Sequence, residues 1–539
     1  MLPASVPVLV VGAGPTGLTV ANLLGRMGVA VLVLERNPAS LTIPRAIVLD
    51  DEGARTLQSA GVMNELLPLI VEGDGPVFID DDGSTLARVG AGSREYGFCK
   101  RHFIHQPELE QVLKQGLSQC AAVDLRFEAE VSAVRNRPDH VEAYVDCNGS
   151  RHTVRAQILL ACDGARSPTR EALGVQMVGN TYGEDWLVVD TANDPDTSRT
   201  SKAFCRLDRP YMSIPAPRGG RRYEFKLLPG ETRQVMTRLE TVQRLLAPIR
   251  ELRPQDVLRI AVYTFEARIA ERLVSHRVLL LGDAAHLTPP FAGQGMNAGI
   301  RDASNVAWKV ALVVRGLAGV EMLASYEVER RNPINAMIQL AITMGEVIMP
   351  EDARDKELRS MLLSKLNAYP GVRDFIFGMK FKPRPRYDGG AFVGLEAPEV
   401  PASLVGCMIP QPTLSVDGRQ LRLDDVIGPR FALLAQSPQT ESFAVAHASE
   451  LWPELDPVLI SMGTHAHDGQ AAAIRGEIAD PDVALPLRAH RDQLLLVRPD
   501  RYLAAAFWPE QSSSVVAALR HRLQIDSMEH WQTSYVAQQ

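Results

Sequence analysis

Residues 8–24 read VLVVGAGPTGLTVANLL, and no other stretch narrows the fold as much. The Val-rich run PVLVV at 7–11 is bounded by Pro7 and Gly12, as expected of a strand buried in a parallel sheet. Thr16 to Met27 follows as a helix with apolar Leu18, Val20, Ala21, Leu24 and Met27, and Gly28 stands where a left-handed C-cap is wanted. VAVLVLER then reads as a second strand, so strand, helix and strand fit within about 30 residues. Each glycine has its own task. Gly12 permits the tight turn, Gly14 lets a pyrophosphate approach the backbone, and Gly17 lets the helix lie against the strand. The helix start at Pro15 and Thr16 offers unpaired N–H groups and a partial positive charge to phosphates. Glu35, beside Arg36, closes the second strand, where an acid takes the ribose hydroxyls. A GxGxxG alone is weak; with strand, turn, helix and acid in register it predicts a dinucleotide site.

The remainder shows how the chain is divided. With 539 residues it is too long for one ordinary core. Residues 74–100 and 181–274 alternate short apolar and polar segments, such as RRYEFKLLPGE and VLRIAVYTFEARI, and read as antiparallel strands with one half-exposed face. Between them TVRAQILLACDGARSPTREALG is a strand, a turn and a helix. After them HRVLLLGDAAHLTPPFAGQGMNAGIRDASNVAWKVALVVRG is a strand, a Pro/Gly loop and a long helix. The expected division is a nucleotide domain built from 1–73, 101–180 and 275–390, a sheet domain from 74–100 and 181–274, and a separate unit at 391–539. The Pro/Gly-rich KPRPRYDGG and EAPEVPAS connect to that last unit. FALLA, AVAHA, QLLLVRPDRYLAAAFW and a helix at Ser512–Leu523 make it a small α/β fold.

Several classes are excluded. A net charge of −7 argues against a general nucleic-acid binder. No apolar run reaches the roughly 18 residues of a membrane span, and no basic n-region of a signal peptide precedes the first strand. The six cysteines (Cys99, Cys120, Cys147, Cys162, Cys205, Cys407) form no CxxC and no metal-like spacing, so no metal is expected and reduced thiols in a cytoplasm fit best. No second Rossmann unit is present for a pyridine nucleotide. There is no CxxxxC of a disulfide reductase after the first motif and no WxWxIP of a halogenase.

Two further segments separate FAD from NAD. CDGARSPTR (162–170) resembles the DG motif of flavoprotein hydroxylases, and LLLGDAAHLTPPFAGQGMNAGIRDASNVAWKV (279–310) closely resembles their GD motif and following helix. Over roughly residues 5–390 the chain resembles the class A FAD-dependent aromatic monooxygenases. PRAIVLDDE, WLVVDTANDP, DRPYMS, RRYEF, LLPGE and MKFKPRPRYDGGA are most similar to the 3-(3-hydroxyphenyl)propionate hydroxylases among them. The resemblance implies an α/β fold: a Rossmann-like FAD-binding domain, an inserted antiparallel-sheet substrate domain, and a thioredoxin-like C-terminal domain lacking CxxC, suited to packing or homo-oligomer contact.

It also implies a cycle. NADH or NADPH reduces FAD, O₂ gives a C4a-hydroperoxide, and one oxygen passes to a small phenolic acid; neither nucleic acid nor membrane takes part. Gly282 and Asp283 would serve the ribityl chain, and Gly293, Gly295, Met296 and Asn297 would bring a helix start to the flavin's N1/O2 edge. Asp163 and Gly164 would serve FAD and the pyridine nucleotide. Pro289 and Pro290 would stiffen the loop where flavin meets substrate. Arg45 matches an arginine near the pyrophosphate and Gln106 a residue on the ribityl chain, with simple surface positions as the alternative.

On the substrate side the expectations are Asp50 near the ring, or else a helix N-cap beside Asp51; Tyr211, Tyr223 and Tyr263 facing substrate, or else packing the sheet; and Arg222 contacting flavin or substrate, or else exposed. A tailoring oxygenase acting on a polyketide and a catalytically silent FAD-binding protein share the same motifs.

Overall fold

The computed structural model describes residues 2–40, 43–396, 400–462 and 474–525. Ser5–Val11 is the central strand of an eight-stranded sheet. It runs parallel to Val31–Leu34 on one side and to Ser150–Ala161 on the other, with Val8 opposite both Val31 and Ile158. Val123–Arg126 and Val278–Leu280 extend the parallel part outward on the two sides. Val8, Leu9 and Val10 are fully buried, which is why this run carries no polar alternation. Pieces of chain from before 73, from 123–161 and from 278 onward therefore share one sheet.

The first helix spans Pro15–Arg26, one residue offset from its expected bounds at each end. Pro15 costs nothing at its first position, because the missing N–H would have no helical partner there. The helix closes in a Schellman turn: Val29 N–H donates to Leu24 O at 3.0 Å and Gly28 N–H to Gly25 O at 2.9 Å.

The second eight-stranded sheet centres on the antiparallel pair Met177–Thr191 and Val257–Ala270. Gly220–Lys226, Tyr211–Ala216, Lys202–Phe204, Val77–Ile79 and Thr85–Arg88 follow in spatial order. Its strands extend past the expected limits: one begins at Met177 rather than 181, and His286–Leu287 adds an edge from beyond 274. One face is closed by the helices Arg233–Met236 and Leu239–Leu246, whose Met236, Val242 and Leu246 pack with Leu187, Val189, Tyr223 and Phe225. The other face looks toward the first sheet.

The C-terminal unit holds a five-stranded mixed sheet. Ala432–Ala435 pairs parallel with Val458–Ser461 and antiparallel with Leu494–Val497, which pairs antiparallel with Leu503–Phe507. Helices Pro438–Leu451 and Ser512–Arg522 follow the first and last of these strands, an arrangement of thioredoxin type. It docks through Trp308 and Leu312 of the long helix Gly295–Val314, which pack with Phe431, Trp452 and Phe507. Arg55 also crosses the boundary, donating to both carboxylate oxygens of Asp424 at 2.7 Å. All six cysteines are unbridged. Among the described residues no helix is long and apolar enough to cross a membrane.

Candidate active site

The first turn is shaped for a phosphate. Gly12 has φ +100°, and a Cβ there would lie 2.4 Å from the Cys162 carbonyl oxygen; at Gly17 it would lie 2.0 Å from Gly12 O. Strand, turn and helix are thus too close for any side chain. Gly14 differs, because nothing lies within 4 Å of a Cβ built on it. It borders open space in front of the helix start, and that space is the room an anion needs. Glu35 accepts from Ala13 N–H at 2.9 Å and Asn37 N–H at 3.0 Å, so the acid is fixed beside the turn. With Arg36, Arg45, Asp163 and Gly164 it lines a cavity of about 160 Å³. Asp163 accepts from Thr169 N–H at 3.0 Å through Oδ2, while its buried Oδ1 has no partner among the described residues. A buried acceptor of this kind calls for a donor from outside the chain. The open Gly14 and the orphaned Asp163 oxygen both fit FAD.

A second cavity of about 460 Å³ continues from this one, sharing Gly14, Arg45, Cys162 and Gly164. Pro15, Thr16, Gln106, Asp283 and the segment Gly293–Met296 border it from the first sheet. Asp283 makes no hydrogen bond to the described residues, and burial raises its carboxyl above the usual range. The turn that carries it is fixed by Asp302, which accepts from Gly282 N–H at 3.0 Å and Arg330 Nε at 2.8 Å and lies 2.7 Å from His286 Nε2. Gly293, in the left-handed region at φ +65°, turns the chain into the long helix, whose start at Gly295 and Met296 borders the cavity with open space beside Gly295. Asn297 does not border it. Its side chain accepts from Asp50 N–H at 3.1 Å and donates to Val48 O at 3.1 Å and Gly293 O at 2.8 Å, so it holds the helix start in place from behind.

The second sheet supplies the opposite wall, and strand alternation decides which residues reach it. Met212, Ile214, Arg222 and Glu224 border the cavity. Tyr211 and Tyr223 point to the other face, which corrects two expected substrate contacts. Tyr223 donates to Asp194 Oδ2 at 2.9 Å, and Tyr211 stacks on Phe204 with centroids 4.2 Å apart. Tyr263 does border the cavity, with the Arg259 guanidinium 4.9 Å from its ring centroid. Arg222 is neither exposed nor unpaired. It donates to Asp190 Oδ1 at 2.6 Å and, through Nη1, to Arg45 O at 2.7 Å. Gln106 Oε1 accepts from Arg45 N–H at 3.0 Å and Ala46 N–H at 2.7 Å, so the Arg45 loop is held from two sides. Phe291, Phe265 and Trp186 pack edge-on or stacked within 5.7 Å, and Pro290 reaches the cavity rim.

Asp50 takes the N-cap alternative rather than the ring contact. It caps the helix Asp51–Ser59 by accepting from Gly53 N–H at 2.9 Å and pairs with Arg301 and with Lys382 at 3.0 Å. Burial alone would raise its carboxyl, but the fields of Arg301 and Lys382 prevail and hold it well below the usual range. A carboxylate so strongly ionised is a poor proton acceptor at neutral pH, and it does not border the cavity. Sequence reasoning missed Arg101, Asp302, Phe265 and Phe291. Asp302, beside Arg301 and close to Ser304 and Asn305, carried no distinguishing local signal, nor did Arg101.

Comparison with known proteins accords with this geometry. The FAD binding domain family matches residues 5–341, and the HcaD C-terminal domain family matches 406–522. A 3-(3-hydroxy-phenyl)propionate/3-hydroxycinnamic acid hydroxylase of Klebsiella pneumoniae subsp. pneumoniae is 36% identical over 527 residues, covering 96% of this chain and 94% of its own. A second enzyme of that name, from Burkholderia vietnamiensis, is 36% identical over 524 residues, covering 95% and 96%. The crystal structure of the flavin-dependent monooxygenase PieE in complex with FAD and substrate superposes with a TM-score of 0.78 at 21% identity, over 96% of this chain and 99% of that one. Sequence, fold and cavity agree, and the chain belongs to the family of FAD-binding monooxygenases that contains these aromatic hydroxylases.

Proposed function

We propose that this enzyme hydroxylates a small phenolic acid of the 3-(3-hydroxyphenyl)propionate or 3-hydroxycinnamate type, with NADH or NADPH and O₂ as co-substrates. One observation carries the reading: a single cavity joins the cofactor motifs of the first sheet to a largely apolar wall of the second. The Gly14 turn with Glu35 would hold the adenosine diphosphate end of FAD, Arg45 the pyrophosphate, and Gln106 and Asp283 the ribityl chain. Asp163 and Gly164 would serve FAD and the pyridine nucleotide. The chemistry supplied by FAD when bound is uptake of electrons from the nicotinamide and activation of O₂.

The chain's own residues do the rest. The helix start at Gly295 and Met296 directs backbone N–H groups and a partial positive charge into the cavity, favouring negative charge at the group beside it. Val188, Met212, Ile214, Phe265 and Phe291 exclude water and orient an aromatic ring. Tyr263 gives that wall a hydroxyl. Arg222, locked to Asp190, keeps the Arg45 loop against the sheet.

The test is NADH and NADPH oxidation by the FAD-loaded protein against a panel of hydroxyphenyl acids, with hydroxylated product and H₂O₂ both measured. The expected result is oxidation stimulated by a 3-hydroxyphenyl acid, with product in excess of peroxide. Oxidation that no member of the panel stimulates overturns the reading.

A further inference from the structure

The larger cavity carries six charged side chains: Arg45, Arg101, Arg222, Glu224, Glu266 and Asp283. Arg222 is committed to Asp190. Arg45 borders both cavities, at the junction with the Gly14 turn, where the proposed reading puts the diphosphate of FAD. Arg101 is different. Its side chain makes no hydrogen bond or ion pair with the described residues, and it borders the larger cavity but not the phosphate-sided one. Desolvation pushes its guanidinium down to about 10, offset in part by the field of Asp50, so it stays charged at neutral pH. Ser201 borders the same cavity, is 2% exposed, and its buried Oγ has no partner among the described residues. The backbone of 73–77 joins the two: Gly73 N–H donates to Arg101 O at 2.9 Å and Val77 N–H to Ser201 O at 2.9 Å.

An unpaired guanidinium and an unpaired buried hydroxyl in one largely apolar cavity are two unmet demands for an anionic acceptor. A carboxylate meets both, accepting two parallel N–H bonds from the fork and one O–H bond. We infer that Arg101, with Ser201, is the subsite for the substrate's carboxylate, and so the determinant that selects aryl acids over neutral phenols. This rests on the reaction proposed above. The ring would then lie between this anchor and the segment Gly293–Met296, beside Met212 and Ile214.

The experiment is a binding titration of FAD-loaded protein, followed by the perturbation of flavin absorbance, with 3-(3-hydroxyphenyl)propionate and the neutral 3-(3-hydroxyphenyl)propanol. Arg101→Met is expected to raise Kd for the acid about 10- to 100-fold and for the alcohol less than about threefold. Arg101→Lys should fall between wild type and Arg101→Met for the acid, and Ser201→Ala should weaken the acid about 3- to 10-fold. Because the Arg101 side chain makes no hydrogen bond or ion pair with the described residues, FAD content and melting temperature should not change. Equal losses for acid and alcohol, or none for the acid, overturn the subsite alone. A wild-type protein that binds neither ligand overturns the proposed reaction and the subsite with it.

Discussion

Replacing Glu329 by Gln tests what holds the C-terminal unit to the FAD-binding body. The Glu329 carboxylate is fully buried and accepts from five donors. They are Arg498 Nη1 at 2.9 Å and Nη2 at 2.8 Å, Lys309 Nζ at 2.8 Å, Asn305 Nδ2 at 2.6 Å and Ala391 N–H at 3.0 Å. The donors come from the long helix, the connecting segment and the C-terminal sheet. Burial alone would raise the carboxyl, but Arg498 and Lys309 outweigh it and hold it at about 2 against an ordinary 4.5. That difference is worth on the order of 3 kcal/mol at neutral pH. Direct measurements on broken buried ion pairs give about 3–5 kcal/mol. The sign follows from the lowered value. The contribution is complete above the unfolded carboxyl near 4.5 and is lost as pH falls toward 2.

In Glu329→Gln, Arg498 keeps Asp500, but Lys309 keeps only Asn305 Oδ1 at 2.9 Å. Lys309, which burial already lowers to about 8 with Glu329 as its main support, must then stay charged without an anion or give up its proton, and either is the expensive remnant. Thermal unfolding at pH 7 should therefore drop by about 6–10 °C, taking about 2 °C per kcal/mol for a large domain. The gap to wild type should narrow as pH is lowered below about 4.5. Glu329→Gln/Lys309→Met should recover part of the loss, because the stranded charge is gone. A single variant melting within about 1 °C of wild type, or a double variant less stable than the single, would refute the reasoning.

Other expectations follow from the same geometry. Gly17→Val should destabilise the fold itself by several kcal/mol, since its Cβ would lie 2.0 Å from Gly12 O, whereas Gly14→Val should leave the apoprotein's melting temperature within about 2 °C and weaken FAD binding roughly 100-fold or more, as fluorescence titration would read. Tyr223→Phe removes a bond to Asp194 on the covered face, so it should cost about 1–2 kcal/mol of stability in denaturant and leave kcat unchanged; a large loss of kcat would place Tyr223 in the site after all. Asp50→Asn should keep the helix cap but lose ion pairs with Arg301 and Lys382, lowering stability by roughly 2–3 kcal/mol at pH 7, with the deficit fading in acid and KM within about twofold of wild type.

The βαβ unit was legible because everything that forces it lies within one turn of chain: Gly12 and Gly17 admit no side chain, and Val8 to Val10 have no solvent-facing partner. The inserted sheet was legible as a sheet but not in the facing of its strands. Alternation says that Tyr211 and Met212 point apart, or Arg222 and Tyr223; it does not say which of each pair meets the cavity. The usual guide, apolar inward and polar outward, misleads here because both faces are covered. The aromatic residues of these strands pack beneath the helices Arg233–Met236 and Leu239–Leu246, and the charged Arg222 and Glu224 line the cavity. Asp50 shows the same limit in one residue. Its cap to Gly53 is a three-residue pattern, readable in advance, but Arg301 lies 251 positions away, and it is that pairing which removes Asp50 from proton transfer. Which group is left for substrate is thus settled by what the others have already bonded. Arg222 is spent on Asp190 and Asn297 on Asp50 and Val48; the Arg101 guanidinium remains, with no partner among the described residues for any spacing to have announced.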